Sequence, residues 1–255
     1  MMGAARKAAR SLVRDYGEVE HLQVSMKGPG DFVSSADIKA EKTLRQELSK
    51  ARPEFGFLLE EGGEIAGADK STRWIIDPID GTTNFLHGIP NFAISIGLER
   101  DGELVAGVVY QPLGDEMFHG EKGAGAYLNE RRLRVSARRK MDDAVITTGI
   151  PHKGRGDHGR FLKELAAVMD VTAGVRRFGS AALDLAYVAA GRCDGYWEAD
   201  LKPWDIAAGI VLVREAGGYV TDLDGGSNIL ETGGLVAAND HLQKPLTKLL
   251  KAARS

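Results

Sequence analysis

Residues 74–85, WIIDPIDGTTNF, make two demands that few folds meet together. Trp74, Ile75 and Ile76 form an apolar run suited to a buried strand, and Asp77 and Asp80 follow directly. A carboxylate at the end of a buried strand ionises only when it is solvated, paired or bound to a cation. Pro78, between the two acids, fixes one backbone angle and donates no hydrogen bond, so the loop is stiff as well as acidic. Gly81, Thr82 and Thr83 then allow close backbone approach and open a short helix, whose free N–H groups suit a phosphate. Cation and phosphate would be neighbours. The same letters also make a plain turn, because Asp-Pro and Asp-Gly are turn-forming pairs and threonine caps helices.

Two further acidic turns favour the cation. Phe55 to Leu59 reads as a strand that ends at Glu60-Glu61, and two adjacent acids after a buried run repel each other unless solvent or a cation separates them. Downstream, Trp204-Asp205 precedes Ile206-Ala207-Ala208-Gly209. All three clusters adjoin strongly apolar segments, and an all-oxygen donor set selects a hard cation such as Mg²⁺.

The segments LLEEGG (58–63), WIIDPIDGTTNF and WDIAAGIVLVREAGG (204–218) closely resemble the signatures of the inositol monophosphatase family of magnesium-dependent, lithium-sensitive sugar phosphatases. The resemblance runs from about Lys27 to Asn239 in the family's order and spacing, and the wording is most similar to the bacterial branch. It implies an α/β (α+β) fold, the five-layer αβαβα sandwich of the inositol monophosphatase and fructose-1,6-bisphosphatase type. It also implies a homodimer, and two or three Mg²⁺ ions per site. In that scheme Glu60, Asp77 and the carbonyl oxygen of Ile79 hold the first ion, and Asp77, Asp80 and Asp205 hold the second. A third, weaker ion belongs near Glu60, with Glu61 in a supporting role. Thr82, hydrogen-bonded toward Asp37, orients the attacking water with help from Glu60, while the N–H groups of Gly81 and Thr82 grip phosphate oxygens. Glu198 and the backbone of Ala181, in Gly179-Ser180-Ala181, face the alcohol part of the substrate, and Asp80 and Asp205 serve substrate as well as metal.

Two of these residues carry another reading. Asp37 stands three after Ser34, the capping-box spacing, and so also caps a helix that runs to about Ala51. The roles are compatible. Glu198 is otherwise an exposed acid at a strand end.

The expected activity is Mg²⁺-dependent hydrolysis of myo-inositol monophosphate, or a related polyol phosphate, to the alcohol and inorganic phosphate. Fructose 1,6-bisphosphate, 3'-phosphoadenosine 5'-phosphate and histidinol phosphate are the alternative substrates. Discrimination among them falls to Glu198 and the 152–160 loop. A different class of function, binding RNA or the transcription machinery, rests on one basic run: Arg131, Arg132, Arg134, Arg138, Arg139 and Lys140. Its plainer meaning is a solvated hairpin edge with Leu133 and Val135 turned inward.

Composition narrows the setting. With 33 Lys plus Arg against 36 Asp plus Glu, the net charge of -3 gives no overall attraction to nucleic acid or anionic membrane. The single cysteine, Cys193, excludes an internal disulfide framework and fits a reducing cytoplasm. Arg6, Lys7, Arg10 and Arg14 interrupt the apolar core that a signal peptide needs, and nothing later reaches membrane-spanning length. The expected location is cytoplasmic. The N-terminus instead reads as an amphipathic helix with Ala5, Ala8, Ala9, Leu12 and Val13 on one face.

In order, the chain reads as that helix, a strand near Leu22 to Met26, a turn over Lys27 to Gly30 and the capped second helix. Beyond the central motif come strands at Ala93 to Arg100 and Leu104 to Tyr110, joined by an Asp101-Gly102 hairpin turn, then Met117 to Gly120 and Ala126 to Leu128. Residues 1–140 are thus helices plus a largely antiparallel sheet, and 141–255 alternate strands with helices. No linker or repeat separates the halves, so residues 1–255 read as one compact domain.

Several motifs carry no weight. Gly154 to Gly159 matches GxGxxG, yet Pro151 and His152 intervene after the strand and no acid follows at the required distance, so a polar loop is the better reading. The six histidines, His87 among them, lack zinc-site spacing, and there is no GxSxG elbow.

Overall fold

The computed structural model describes residues 1–19, 23–28, 31–152 and 154–254. Helices α1 (Met2–Tyr16) and α2 (Ser35–Ala51) flank a small hairpin of β1 (Val24–Gly28) and β2 (Asp31–Ser34). The main sheet is built from β3 (Phe55–Leu59), β4 (Gly63–Ile65), β5 (Asp69–Asp80), β6 (Ala93–Arg100), β7 (Glu103–Gln111), β8 (Glu116–Glu121), β9 (Gly125–Leu128) and β10 (Arg131–Arg132). Short helix α3 (Thr82–Leu86) follows β5. Its strand order is β10-β9-β8-β7-β6-β5-β3-β4, antiparallel throughout except for the parallel pair β3 and β5.

The second half contributes β11 (Val145–Thr148), α4 (His158–Met169), β12 (Gly174–Arg176), α5 (Ala181–Ala189), β13 (Gly195–Glu198) and α6 (Pro203–Glu215). It ends with β14 (Tyr219–Thr221), α7 (Ile229–Thr232), β15 (Leu235–Ala238) and α8 (Gln243–Arg254). Its five strands form a mixed sheet in the order β12-β11-β13-β15-β14.

Strand alternation sets the layers, because successive side chains point to opposite faces. In β5, Trp74 and Ile76 join the core beneath α1 and α2, whereas Ile75 joins the core around α5 and α6. In the smaller sheet, Tyr196 and Ala237 face α5 and α6, and Trp197, Val236 and Ala238 face the opposite core, which includes Phe161 and Val168 of α4 and Leu246 and Leu250 of α8. The layers are therefore α1/α2, large sheet, α5/α6, small sheet and α4/α8, the expected αβαβα sandwich.

Where α6 crosses the large sheet, it lies unusually close. A Cβ on Gly107 would overlap the Ala208 carbonyl oxygen and stand 2.9 Å from its Cα, so only glycine admits the helix backbone at this depth. That approach fixes the start of α6 over β6. Ser95, paired with Asp77 across the ladder, donates to the Trp204 carbonyl at 3.0 Å and so brings Asp205 beside Asp77.

Some local readings need correction. Trp74 to Ile76 is the middle of a strand that continues through Asp77 to Asp80, with its ladder irregular between these two acids, so the acids bulge from the strand itself. Val13 is 43% exposed; the buried stripe of α1 takes Ala4 and Asp15 instead. Helix α8 and edge strand β4 have no counterpart in the sequence reading. Leu22, Pro29 and Gly30, part of the expected first strand and turn, lie outside the described residues. Among the described residues, no helix is long and apolar enough to cross a membrane.

Candidate active site

Five strand or helix ends converge on a cavity of about 370 Å³. Its wall includes Glu60 after β3, Asp77 to Thr83 from the end of β5, Gly179 to Ala181 at the start of α5, Glu198 at the end of β13 and Asp205 in the first turn of α6. Carboxylate oxygens of Asp77, Asp80 and Asp205 all lie within 4.8 Å of one another. All three side chains are buried.

Such a cluster resists ionisation. Burial pushes the Asp77 carboxyl well above its usual range, and the charges of Glu60, Asp80 and Asp205 push it the same way. Burial likewise raises Asp80 and Asp205 to about 7 each, although hydrogen bonds to Asp80 and Asp205 oppose the rise. A cation among the carboxylates would relieve both the desolvation and the repulsion, and oxygen donors alone suit a hard divalent ion. The residues therefore fit a metal site.

Each acid is held on one side. Asp77 Oδ1 accepts the Ile79 N–H at 2.8 Å. Asp80 Oδ2 accepts the Ser180 hydroxyl at 2.5 Å and the Ala182 N–H at 2.7 Å, which ties the end of the large sheet to the start of α5. Asp205 Oδ2 accepts the Lys202 N–H at 2.8 Å. Glu60 lines the same cavity with its carboxyl against that of Asp77, but it lies outside the tight trio.

Asp37 fills both of its expected places. Its Oδ2 accepts the Ser34 N–H at 2.8 Å and the Ser34 hydroxyl at 2.6 Å, capping α2, and its Oδ1 stands 3.3 Å from Thr82 Oγ1. Thr82 Oγ1 is also 2.9 Å from the Ile79 carbonyl oxygen. Both neighbours are acceptors, so the hydroxyl proton is committed to them and an oxygen lone pair is left for a donor. Gly81, at φ 96°, turns the chain from strand into α3; this left-handed conformation favours glycine.

In the same cavity wall, Glu198 is pushed up to about 7 by burial, with the Tyr196 hydroxyl opposing the rise through a 2.7 Å hydrogen bond to Oε2. A Cβ on Gly149 would overlap the Glu198 carboxyl, so this glycine makes the space that the acid occupies. Ala181 also lines the cavity.

The 154–159 segment is more than a polar loop. Asp157 caps α4 by accepting the Arg160 N–H at 3.0 Å, and Arg155 projects over the site. Sequence reasoning missed Arg155, the Ser180 bond to Asp80 and the role of Gly149. It also passed over Asp184, a buried acid whose carboxyl is hydrogen-bonded by Thr147 and is raised well above its usual range by burial. Elsewhere, Cys193 is buried, and desolvation pushes its thiol up to about 12, as fits a packing residue. His87 is exposed and away from the acids, with Nδ1 2.8 Å from the Thr83 carbonyl oxygen. The basic run forms the outer strand of the large sheet and the chain beyond it; Leu133 is buried there, and Arg138 pairs with Asp194 at 3.1 Å.

A five-layer sandwich with three buried carboxylates gathered at the ends of its central elements defines a class of metal-binding α/β proteins. Comparison with known proteins sharpens that class. The model of the Inositol monophosphatase family matches residues 1–255. An Inositol-1-monophosphatase of Rhizobium meliloti is 60% identical over 98% of this chain and 94% of that protein. The crystal structure of the extragenic suppressor protein suhB from Bartonella henselae superposes with a TM-score of 0.96, at 60% identity over 98% of this chain and 96% of that one. The Nus factor SuhB of Escherichia coli K12 is 43% identical over 95% of this chain and 91% of its own length. The chain belongs to the inositol monophosphatase family.

Proposed function

We propose that this chain is a Mg²⁺-dependent phosphatase that hydrolyses myo-inositol monophosphate or a closely related polyol phosphate. The observation that carries this reading is the convergence of Asp77, Asp80 and Asp205 on the floor of a cavity that also receives Thr82 and Glu198. The name of the Rhizobium meliloti relative supports the inositol ester in particular.

Glu60, Asp77 and the Ile79 carbonyl would hold one ion, and Asp77, Asp80 and Asp205 another. When bound, the ions supply charge neutralisation of the phosphate and activation of water. The remaining work falls to the chain. Thr82, its proton committed to Asp37 or Ile79, accepts from the attacking water and aims it, and Glu60 stands beside the path of the departing proton. The Gly81 and Thr82 N–H groups, at the start of α3, face the phosphate. Glu198 keeps one oxygen on Tyr196 and offers the other to a substrate hydroxyl, next to the backbone of Ala181.

The test is inorganic phosphate release, with and without Mg²⁺, from inositol 1-phosphate, fructose 1,6-bisphosphate, phosphoadenosine phosphate and histidinol phosphate. Mg²⁺-dependent turnover favouring inositol 1-phosphate is the expected result. Another winner would reassign the substrate, and silence across the panel would reject the reading. A homodimer, a cytoplasmic setting and inhibition by Li⁺ at the second ion's place belong to the same proposal; sedimentation and a lithium titration check the first and last.

The name of the Escherichia coli relative supports a second, non-hydrolytic reading in which the Arg131 to Lys140 run binds RNA or the transcription machinery. Reversing Arg131, Arg132 and Arg134 would then abolish the biological effect, whereas Asp80→Asn would not. The opposite pattern would remove this reading.

A further inference from the structure

Arg155 has no part in the chemistry above, yet it is fixed over it. Its Nε and Nη2 donate to the Asp200 carbonyl oxygen at 3.1 and 2.7 Å, and Nη2 lies 3.7 Å from Asp205 Oδ2. Asp200 presents that carbonyl from a φ of 61°, a left-handed conformation that aspartate and asparagine adopt more readily than other side chains. The Arg155 N–H donates to the His152 carbonyl at 2.9 Å, which closes the turn that carries the guanidinium. Backbone on two sides therefore determines where this charge sits. Among the described residues, no other lysine or arginine makes an ion pair with Asp77, Asp80 or Asp205.

A cation between Asp80 and Asp205 would share a carboxylate with this guanidinium. Arginine stays protonated at any pH the protein survives, so it cannot withdraw by losing its proton. Its anchorage is the Asp200 carbonyl, which does not leave when a metal arrives. Two positive groups then face one anionic group across a few ångströms in a partly dry cavity, where their repulsion is screened far less than in water.

We propose that Arg155 is a built-in counter-ion of Asp205, one that weakens the cation held by Asp80 and Asp205 and so keeps it exchangeable. The inference rests on the metal reading of this site. It makes Arg155 a positioning residue for charge, setting how tightly the second ion binds.

The experiment is Mn²⁺ binding to the full chain, freed of metal by chelation and without substrate, followed by electron paramagnetic resonance of the free ion. Arg155→Gln and Arg155→Met, the latter keeping an apolar stem, should bind the second Mn²⁺, the one held by Asp80 and Asp205, roughly tenfold more tightly than wild type. Arg155→Lys, which retains the charge, should stay within a few-fold of wild type. Circular dichroism melting verifies that each variant is folded, and two neutral variants guard against the loss of one. A residue that merely staples the loop would leave the affinity unchanged or lower it, and either result in the neutral variants would overturn the inference alone. Absence of Mn²⁺ binding by the wild type would overturn the metal reading and this inference with it.

Discussion

Asp80 shows how single residues divide the labour. One oxygen is occupied by Ser180 and the Ala182 N–H, so the other is the one the cluster can use. Removing the Ser180 hydroxyl leaves the carboxylate less firmly aimed, and outer partners of this kind typically contribute 10- to 100-fold to metal affinity or activity. Ser180→Ala is therefore expected to raise the Mg²⁺ concentration needed for half-maximal phosphate release by roughly tenfold, with little effect on its saturated rate. Asp77→Asn should act more severely and with two opposite signs. As the proposed shared ligand, its loss should reduce turnover by at least on the order of a hundredfold, while the chelated variant melts above chelated wild type because the folded state no longer has to keep a buried carboxyl protonated at neutral pH. Parallel assays and melting curves read both. A variant that is active, or one that melts lower, would remove Asp77 from the centre of the site.

At the scale of elements, the site depends on how deeply α6 settles on the large sheet. Gly107 leaves no room for a Cβ under Ala208, so Gly107→Ala must lift the helix or shift the strand. Overpacking of this sort costs about 1–3 kcal/mol, and here it would also move Asp205. Urea denaturation and Mg²⁺ activation should therefore worsen together; a variant with lower stability and unchanged Mg²⁺ dependence would separate the contact from the site. The same scale explains which elements were legible. Strands β3, β6 and β7 and helix α2 announced themselves through apolar runs, a capping box and an Asp-Gly turn, all of which are local signals. Helix α8 did not, because its inward face is carried by few residues, Leu246 and Leu250 with Gln243, among lysines. The site divided likewise. Acids at strand ends were visible as strings, but Arg155 reaches Asp200 across 45 residues and depends on a backbone conformation that no letter specifies.

For the whole molecule, the buried acids tie stability to pH. Asp80 and Asp205 rise to about 7 in the folded chain from 3.8, so the folded state holds protons that the unfolded chain releases over that interval. Their contribution is full below about pH 4 and is lost as pH rises toward about 7. Chelated wild type should lose stability relative to chelated Asp80→Asn across this window, by on the order of a few kcal/mol. Excess Mg²⁺ should abolish the difference in slope for wild type, because a bound cation replaces the protons. Calorimetric melting at successive pH values checks the sign, and a gain in wild-type stability over the variant as pH rises would contradict it.

The bond from Ser180 to Asp80 spans the two halves of the chain, and the core around α5 and α6 takes Ile75, Ala93 and Val109 from one half and Leu185, Tyr196 and Ile210 from the other. Neither half owns the site. Severed in the exposed stretch near Arg139 and Lys140, the protein would become a two-part reporter: fragments silent apart, whose returning phosphatase signal measures how often whatever they are fused to brings them together.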